Sequence, residues 1–412
     1  MSTAALHDDI GADFARQFDL TKLPDGFLEN PYPFYDALRK YDPVHRCPDG
    51  SLFLTRYADL LAVYKDRRFS SDKKIEFKPK FGDGALYTHH TTSLVFNDPP
   101  LHTRVRRLIM GALNPRAIAA MEPALVALVD SLLDRAADKG GMDVIEDYAS
   151  AIPIEVIGNL LGVPHADRGP LRGWSLAILG ALEPTLTEEQ LATGNQAVMD
   201  FRAYLVDLVA HRRRNLGDPE SDVLSRLIMG EADGERLAEE ELLQNCIFLL
   251  NAGHETTTNL IGNGIAALLE HPGELQRLRD DPSLIKSAVE EFLRFESSNQ
   301  LGNRRASEEV EIAGTRYPEG TLITLCIGAA NRDPEEFPDP HRLDITRTPN
   351  RHLAFGSGMH ACAGMSLARL EGQIAIGRLV RRFSRIERAG KFLRGGRARF
   401  RGFLSYPVHL SV

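Results

Sequence analysis

The strongest constraint on this chain is a cysteine set among glycines. Cys362 stands in Phe355-Gly356-Ser357-Gly358-Met359-His360-Ala361-Cys362-Ala363-Gly364, followed at once by Met365-Ser366-Leu367-Ala368-Arg369-Leu370-Glu371. The glycines at 356, 358 and 364 permit a tight loop that brings backbone close to something flat and bulky. The run after Gly364 reads as a helix. A thiol at a helix entrance, among backbone N–H donors, is favoured as the thiolate. A lone thiolate on such a loop is what a haem iron takes as its axial sulfur ligand, one that pushes electron density towards O–O cleavage. The plain alternative is a buried, inert cysteine in a glycine-rich turn.

With 412 residues, length alone would allow two or three domains. No linker or low-complexity stretch divides the chain, so one large α-rich domain over 1–412 is expected. A net charge of −8 argues against a general nucleic-acid binder. The four cysteines, Cys47, Cys246, Cys326 and Cys362, lie far apart, and no pair has zinc or iron–sulfur spacing. So few cysteines in so long a chain make no disulfide framework, which fits a reducing compartment. Residues 1–20 are polar, with Asp8, Asp9, Asp13 and Arg16, and lack the apolar core of a signal peptide or anchor. No apolar stretch approaches the ~18 residues of a membrane span. The expectation is a soluble, cytoplasmic, monomeric protein of bacterial type, without nucleic-acid or membrane partners.

Along the chain, Asn30-Pro31-Tyr32-Pro33 opens a short helix over 34–40. Strand-like segments at 44–46 and 51–55 follow, joined through Pro48-Asp49-Gly50. Residues 57–65 are helical. Residues 70–95 show no clear period and read as a long loop, of the kind that is often functional. Helical patterns dominate from about 100 to 295. Short strands, including 310–312 and 322–326, are expected between 297 and 327, and 331–350 is irregular and proline-rich. The helix after Cys362 runs to about 383, and 400–412 reads as short strands. The fold class is mainly α with a small β-rich region.

Residues 237–270 read as one helix, about 45 Å long. Its middle is Asn251-Ala252-Gly253-His254-Glu255-Thr256-Thr257-Thr258. Three threonines after a glycine are poor helix formers. Their hydroxyls can bond back to preceding carbonyls and bend the helix. An opening there makes room for a small molecule, and Glu255 beside Thr256 supplies an acid and a hydroxyl for proton delivery. The alternative is a weak spot in a core helix, with Glu255 salt-bridged.

The spacing Phe-x-x-Gly-x-His-x-Cys-x-Gly resembles the cysteine-ligand loop of the cytochrome P-450 family. The resemblance extends from Asn30-Pro31-Tyr32 to Arg401-Gly402-Phe403-Leu404-Ser405. It implies the cytochrome P-450 fold, a large helical region around haem with a small β-rich region. It also implies haem b (iron protoporphyrin IX), with Cys362 as axial ligand of the iron in a loop that includes Phe355 and Gly364. The segment 251–258 resembles the one that carries the family's acid–alcohol pair. Glu255 and Thr256 then relay protons during O2 activation, while Ala252 and Gly253 leave space over the haem. His254 is expected to have a surface or ion-pair role. His102 and Arg106 share one helix face after the helix start Asn97-Asp98-Pro99-Pro100, and match the family's propionate-binding helix. Arg304 resembles the propionate arginine of a family strand, with Arg305 as the one-residue alternative. His360 matches the propionate position of the cysteine loop. Glu291-Phe292-Leu293-Arg294 resembles the family's Glu-x-x-Arg pair, buried and locking the irregular segment near Arg342 onto the core.

The implied reaction is insertion of one oxygen atom from O2 into a small or medium hydrophobic or aromatic substrate. No flavin, nicotinamide or iron–sulfur motif follows the haem region, so an external ferredoxin and its reductase supply the electrons. Such acidic partners dock on a local basic patch. The candidates are Arg67, Arg68, Arg104, Arg107 and Arg369, with Arg378, Arg381 and Arg382 on the same helix as Arg369. Pocket candidates include Phe77, Trp174, Ile178, Leu179, Leu249, Leu301 and Phe403. Lys73, Lys74, Lys78, Lys80, His89 and His90 offer recognition of a carboxylate, such as an aromatic acid. Two rival readings are a peroxide-driven peroxygenase on the same fold and a non-enzymatic haem sensor or ligand carrier.

Overall fold

Helix patterning sets most of the architecture. The computed structural model describes residues 10–219, 222–232 and 235–412, so Asp8 and Asp9 lie outside the described residues. The helices that build the site are α1 (Tyr57–Lys65), α2 (Lys74–Phe81), α3 (Ala85–Thr92), α4 (Leu101–Ala112), α5 (Pro115–Lys139), α6 (Ala151–Leu160), α7 (Leu171–Gly180), α8 (Glu188–Arg214), α9 (Glu239–Glu270), α10 (Ile285–Phe295) and α11 (Met365–Arg382). The strands that accompany them are β1 (Val44–Arg46), β2 (Leu52–Leu54), β3 (Phe69–Ser70), β4 (Leu301–Ala306) and β5 (Leu322–Cys326). The result is the mainly α fold with a small β-rich part that the sequence predicts. Among the described residues no helix is long and apolar enough to cross a membrane.

α9 is the axis of the core. It opens on Glu239, Glu240 and Glu241, acids at the positive end of the helix dipole, and the Glu241 carboxylate accepts the Ala238 N–H at 2.9 Å. Its 32 residues span about 48 Å, and it packs against α6, α7, α10 and α11. The threonine hydroxyls do bond back: Thr256 Oγ1 donates to the Ala252 carbonyl at 2.7 Å, and Thr258 Oγ1 to that of His254 at 2.9 Å.

The five strands form one sheet in the order β1-β2-β5-β4-β3, with β2 and β5 parallel and the other neighbours antiparallel. Arg304 pairs with Ile323 and Arg305 with Leu322. Successive strand residues point to opposite faces, so the two arginines diverge. Arg305 turns towards Gly320. Arg304 lies over the Tyr64 ring of α1, 5.2 Å from its centre.

The segment 70–95 is not the loop its sequence suggests. It folds into α2 and α3, followed by a single tight turn at Leu94–Phe96. Each helix has eight residues, too short for two full apolar stripes to register and too short to be stable alone. Tertiary contacts hold them instead. Phe81 packs edge-to-face with Phe77 and at a tilt against His90, the Leu86 N–H donates to Asn195 of α8 at 2.9 Å, and Asn97 Nδ2 donates to the carbonyls of Thr91 and Ser93.

Glu291 and Arg294 of α10 are fully buried and joined twice at 2.8 Å. Arg294 also donates to the carbonyls of Asn331 (2.9 Å), Pro340 (2.8 Å) and Arg342 (3.2 Å). Glu291 accepts from the Asp344 N–H, Arg347 and Asn350. One ion pair therefore ties the irregular 331–350 segment to the helical core.

Candidate active site

The cysteine loop is clamped between α1 and α11. The Cys362 N–H donates to the Phe355 carbonyl at 2.9 Å and closes the loop. Gly358 has φ +68°, and a Cβ there would come 2.2 Å from the Tyr64 carbonyl oxygen, so only glycine fits. Cys362 is half-buried, at the foot of α11 beyond Gly364. Burial pushes its thiol pKa up, against the pull of the Gly364 N–H, Arg106 and Arg369. The helix entrance alone therefore does not hold this sulfur as thiolate, a correction to the sequence reading. A metal cation at the sulfur would reverse the sign, because a coordinating thiol is deprotonated outright.

Midway along α9 the buried pattern breaks. Ala252 is exposed and Gly253 and Thr256 are half-exposed, while Asn251, His254, Glu255 and Thr257 are buried. Residues four apart share one helix face, so Ala252 and Thr256 line a space inside the core. Gly253 turns towards α6, where a Cβ would meet Ile157 at 2.5 Å.

Helix α4, strand β4 and the cysteine loop itself bring polar groups together. The rings of His102 (α4) and His360 lie 4.1 Å apart. Among the described residues, both His102 ring nitrogens are buried without a hydrogen-bond partner, and His360 Nε2 is 3.7 Å from Asp98 Oδ1, an ion-pair distance but not a hydrogen bond. Burial pushes His102 down to about 4 and lowers His360; Arg106 and Arg304 act on both in the same sense. Among the described residues, Arg304 hydrogen-bonds only to its neighbour's carbonyl, Asn303 O, at 2.8 Å. Beside the single carboxylate of Asp98, the unpartnered His102 nitrogens and the cations Arg106 and Arg304 still call for anionic oxygens. Two propionates would meet it, so the residues present fit haem b. Of the two adjacent arginines, Arg304 is the one on this side.

Glu255 is buried, with Oε1 2.6 Å from Arg397 and Oε2 without a partner among the described residues. Burial pushes its pKa up to about 7, with Arg397 pulling the other way. A cavity of about 20 Å³, room for about one water, lies against His254, Glu255, Thr258, Asn259, Arg172 and Arg397. The salt bridge and the acid–hydroxyl adjacency thus coexist. His254 is a correction. It is buried, its Nε2 is 3.1 Å from Ser150 Oγ, and burial pushes its pKa down to about 3, so it is a neutral core histidine.

Arg397 and Arg399 were not singled out in the sequence. The signal was there: Arg397, Arg399 and Arg401 alternate in the C-terminal segment, and each reaches inward to the core. The proposed basic patch fares worse. Arg68, Arg104, Arg369, Arg378 and Arg382 are each paired with a carboxylate: Asp66, Glu241, Glu290, Asp130 and Asp134 respectively.

Comparison with known proteins gives a consistent result. A family model described as Cytochrome P450 matches residues 180–390. The biotin biosynthesis cytochrome P450 of Bacillus subtilis is 41% identical over 363 residues, covering 86% of this chain and 90% of the relative. The vitamin D(3) 25-hydroxylase of Pseudonocardia autotrophica is 42% identical over 359 residues, covering 86% of each. The crystal structure of P450BioI in complex with hexadec-9Z-enoic acid ligated acyl carrier protein superposes with a TM-score of 0.89. It is 38% identical and covers 94% of this chain and 100% of that one. The chain belongs to the cytochrome P450 family and is a haem b enzyme.

Proposed function

We propose that this protein is a cytoplasmic monooxygenase, one haem-thiolate domain over 1–412, that inserts an oxygen atom from O2 into an apolar organic substrate. The observation that carries the reading is an accessible hydroxyl, Thr256, where the middle of α9 opens, next in sequence to a buried acid of near-neutral pKa, Glu255. A peroxygenase or a haem sensor has no use for that pair. The haem, when bound, supplies the O2 chemistry. Cys362 Sγ would hold the haem iron. His102, Arg106, Arg304 and His360 would hold its propionates, and Phe355 and Gly364 shape the cysteine loop. Ala252 keeps the facing wall of the pocket low, while Gly253 lets α6 pack close against α9. Glu255 holds a proton at Oε2, and Thr256 Oγ1, whose own hydrogen is donated to the Ala252 carbonyl, offers its lone pairs to the pocket as a hydrogen-bond acceptor.

Long apolar molecules are favoured as substrates. The names of the relatives point to a sixteen-carbon acyl chain and to vitamin D(3). The apolar cluster of Leu179, Leu182 and Phe400 with Phe77 and Phe96 supplies a matching wall. An external ferredoxin and its reductase remain the electron source we propose. With most of the suggested arginines neutralised, docking rests on fewer charges than the sequence offered, Arg67 and Arg381 among them.

The first test is the dithionite-reduced, carbon monoxide-treated spectrum. A strongly red-shifted Soret band is the expected outcome, and an ordinary haem–CO position would sink the thiolate assignment. Turnover with ferredoxin and reductase, compared with peroxide alone, separates monooxygenase from peroxygenase. In the same assay Thr256→Ala should lower product per electron several-fold, with hydrogen peroxide replacing it. Unchanged coupling would remove Thr256 from the relay.

A further inference from the structure

Six cationic or imidazole side chains between 73 and 90 suggest an anion site, and the structure sorts them. Lys73 is committed to Glu76 at 2.8 Å, Lys74 to Asp72 at 2.6 Å, and Lys78 to Asp83. His89 is bound to Gln244 at 2.9 Å. Lys80 is different: its Nζ donates to the backbone carbonyl of Glu183 at 2.6 Å, and among the described residues it has no carboxylate within ion-pair distance. His90 also differs, with Nε2 buried and without a partner among the described residues, inside a cage of Phe77, Phe81 and Phe96.

A second cation reaches the same place from the C-terminal segment. Arg399 donates to the carbonyls of Leu182 (3.1 Å) and Leu301 (2.8 Å) and to Asn303 Oδ1, all neutral acceptors. It is half-buried, so part of its surface stays accessible, while burial depresses its pKa. The nearby carboxylate, Glu183, is occupied by backbone N–H groups, those of Ala398 (2.9 Å) and Arg399 (3.1 Å). Lys80 feels this deficit of negative charge: burial first, and then Arg399, push its pKa down to about 8. With Arg304 assigned to a propionate, the cations Lys73, Lys80 and Arg399 face the carboxylates Glu76 and Glu183, which leaves one positive charge uncompensated in a poorly solvated region. Such a charge is costly unless an anion joins it. The apolar wall starts beside it: Leu182 precedes Glu183, Phe400 follows Arg399, and Phe77 lies one helical turn before Lys80.

We propose that Lys80 and Arg399 anchor the carboxylate of the substrate, and that this enzyme takes free apolar carboxylic acids in preference to their esters or carrier-bound thioesters. The inference rests on the monooxygenase reading and deepens it. The charged end is fixed beside β4 and the C-terminal segment, and the apolar body lies along Phe77, Phe96, Leu179, Leu182 and Phe400. Specificity of this kind comes from the cost of leaving the cations uncompensated when the ligand is neutral.

The test is a spectral titration of the ferric holoenzyme with tetradecanoic acid and 4-ethylbenzoic acid, each against its methyl ester. At least one acid should shift the Soret band with a Kd about tenfold or more below that of its ester. Lys80→Met should raise the Kd of that acid about tenfold and leave its ester unchanged, and Lys80→Arg should restore the preference. Esters that bind as tightly as acids, acids that do not bind, or a preference that survives Lys80→Met would each overturn the anchor. Those results would leave the monooxygenase reading standing, because the carbon monoxide spectrum and ferredoxin-driven turnover test it separately.

Discussion

Arg294→Ala is expected to yield little or no haem-loaded protein. The substitution leaves Glu291 fully buried without its bidentate partner, a loss worth about 3–5 kcal/mol against a total stability of about 5–15 kcal/mol. It also strips donors from the carbonyls of Asn331, Pro340 and Arg342. The damage is transmitted to the cysteine loop along a short path. Asn331 Oδ1 accepts the Leu353 N–H at 2.7 Å, and the Leu353 carbonyl accepts the Gly356 N–H at 2.8 Å. Freeing Asn331 therefore loosens the loop that presents Cys362. Arg347 still reaches Glu291, so some folded apoprotein should survive. Arg294→Lys keeps the charge without the planar fork that serves five acceptors, and should not rescue haem content. The measurement is the ratio of Soret to protein absorbance together with a thermal melt. Full haem content and an unchanged melting temperature in the alanine variant would refute the role.

What the sequence made legible was chemistry tied to unusual spacing. The Cys362 loop needs positive φ at Gly358 and a close approach to Tyr64, and such backbone demands leave a glycine signature. The weak Thr256–Thr258 run of α9 showed for the same reason: its local preferences oppose the helix it sits in. The Glu291–Arg294 spacing was visible as a pattern, but its burial came only with the packing. What stayed hidden depends on tertiary contacts. α2 and α3 have no stripe to read, because side chains from distant segments stabilise them. His254 reads as a surface group because a histidine beside an acid usually is one, and only the contact with Ser150 shows it turned inward. Arg397 meets Glu255 across 142 residues of chain, a pairing with no local trace. Strand register puts Arg304 over Tyr64 and turns Arg305 to Gly320, an arrangement that a one-residue slip would invert.

Glu255→Gln should slow coupled product formation by about 100-fold, in the range typical for loss of a positioned proton donor. The amide preserves shape, and its oxygen still accepts from Arg397, so folding and haem content should hold. What is lost is the proton at Oε2. The groups that face Glu255 are Arg397 and Arg172, which favour its ionised form, and Glu183, which opposes it; burial outweighs them and sets a pKa of about 7. The wild-type rate, where proton delivery limits it, should therefore fall as pH rises through about 7, and the glutamine variant should lack that step. Stability carries the same sign. The carboxyl's pKa in the fold lies above its ordinary value of 4.5, so the folded state holds a proton that the unfolded chain has already released. Stability is then lost as pH rises from 4.5 to about 7, and Glu255→Gln removes that slope. Arg397→Leu provides the converse test. Without its cation Glu255 should hold its proton to higher pH, moving the rate step upward while leaving the acid in place. A step that stays put in Arg397→Leu and persists in Glu255→Gln would assign it to another group and end the case for Glu255 as the proton donor.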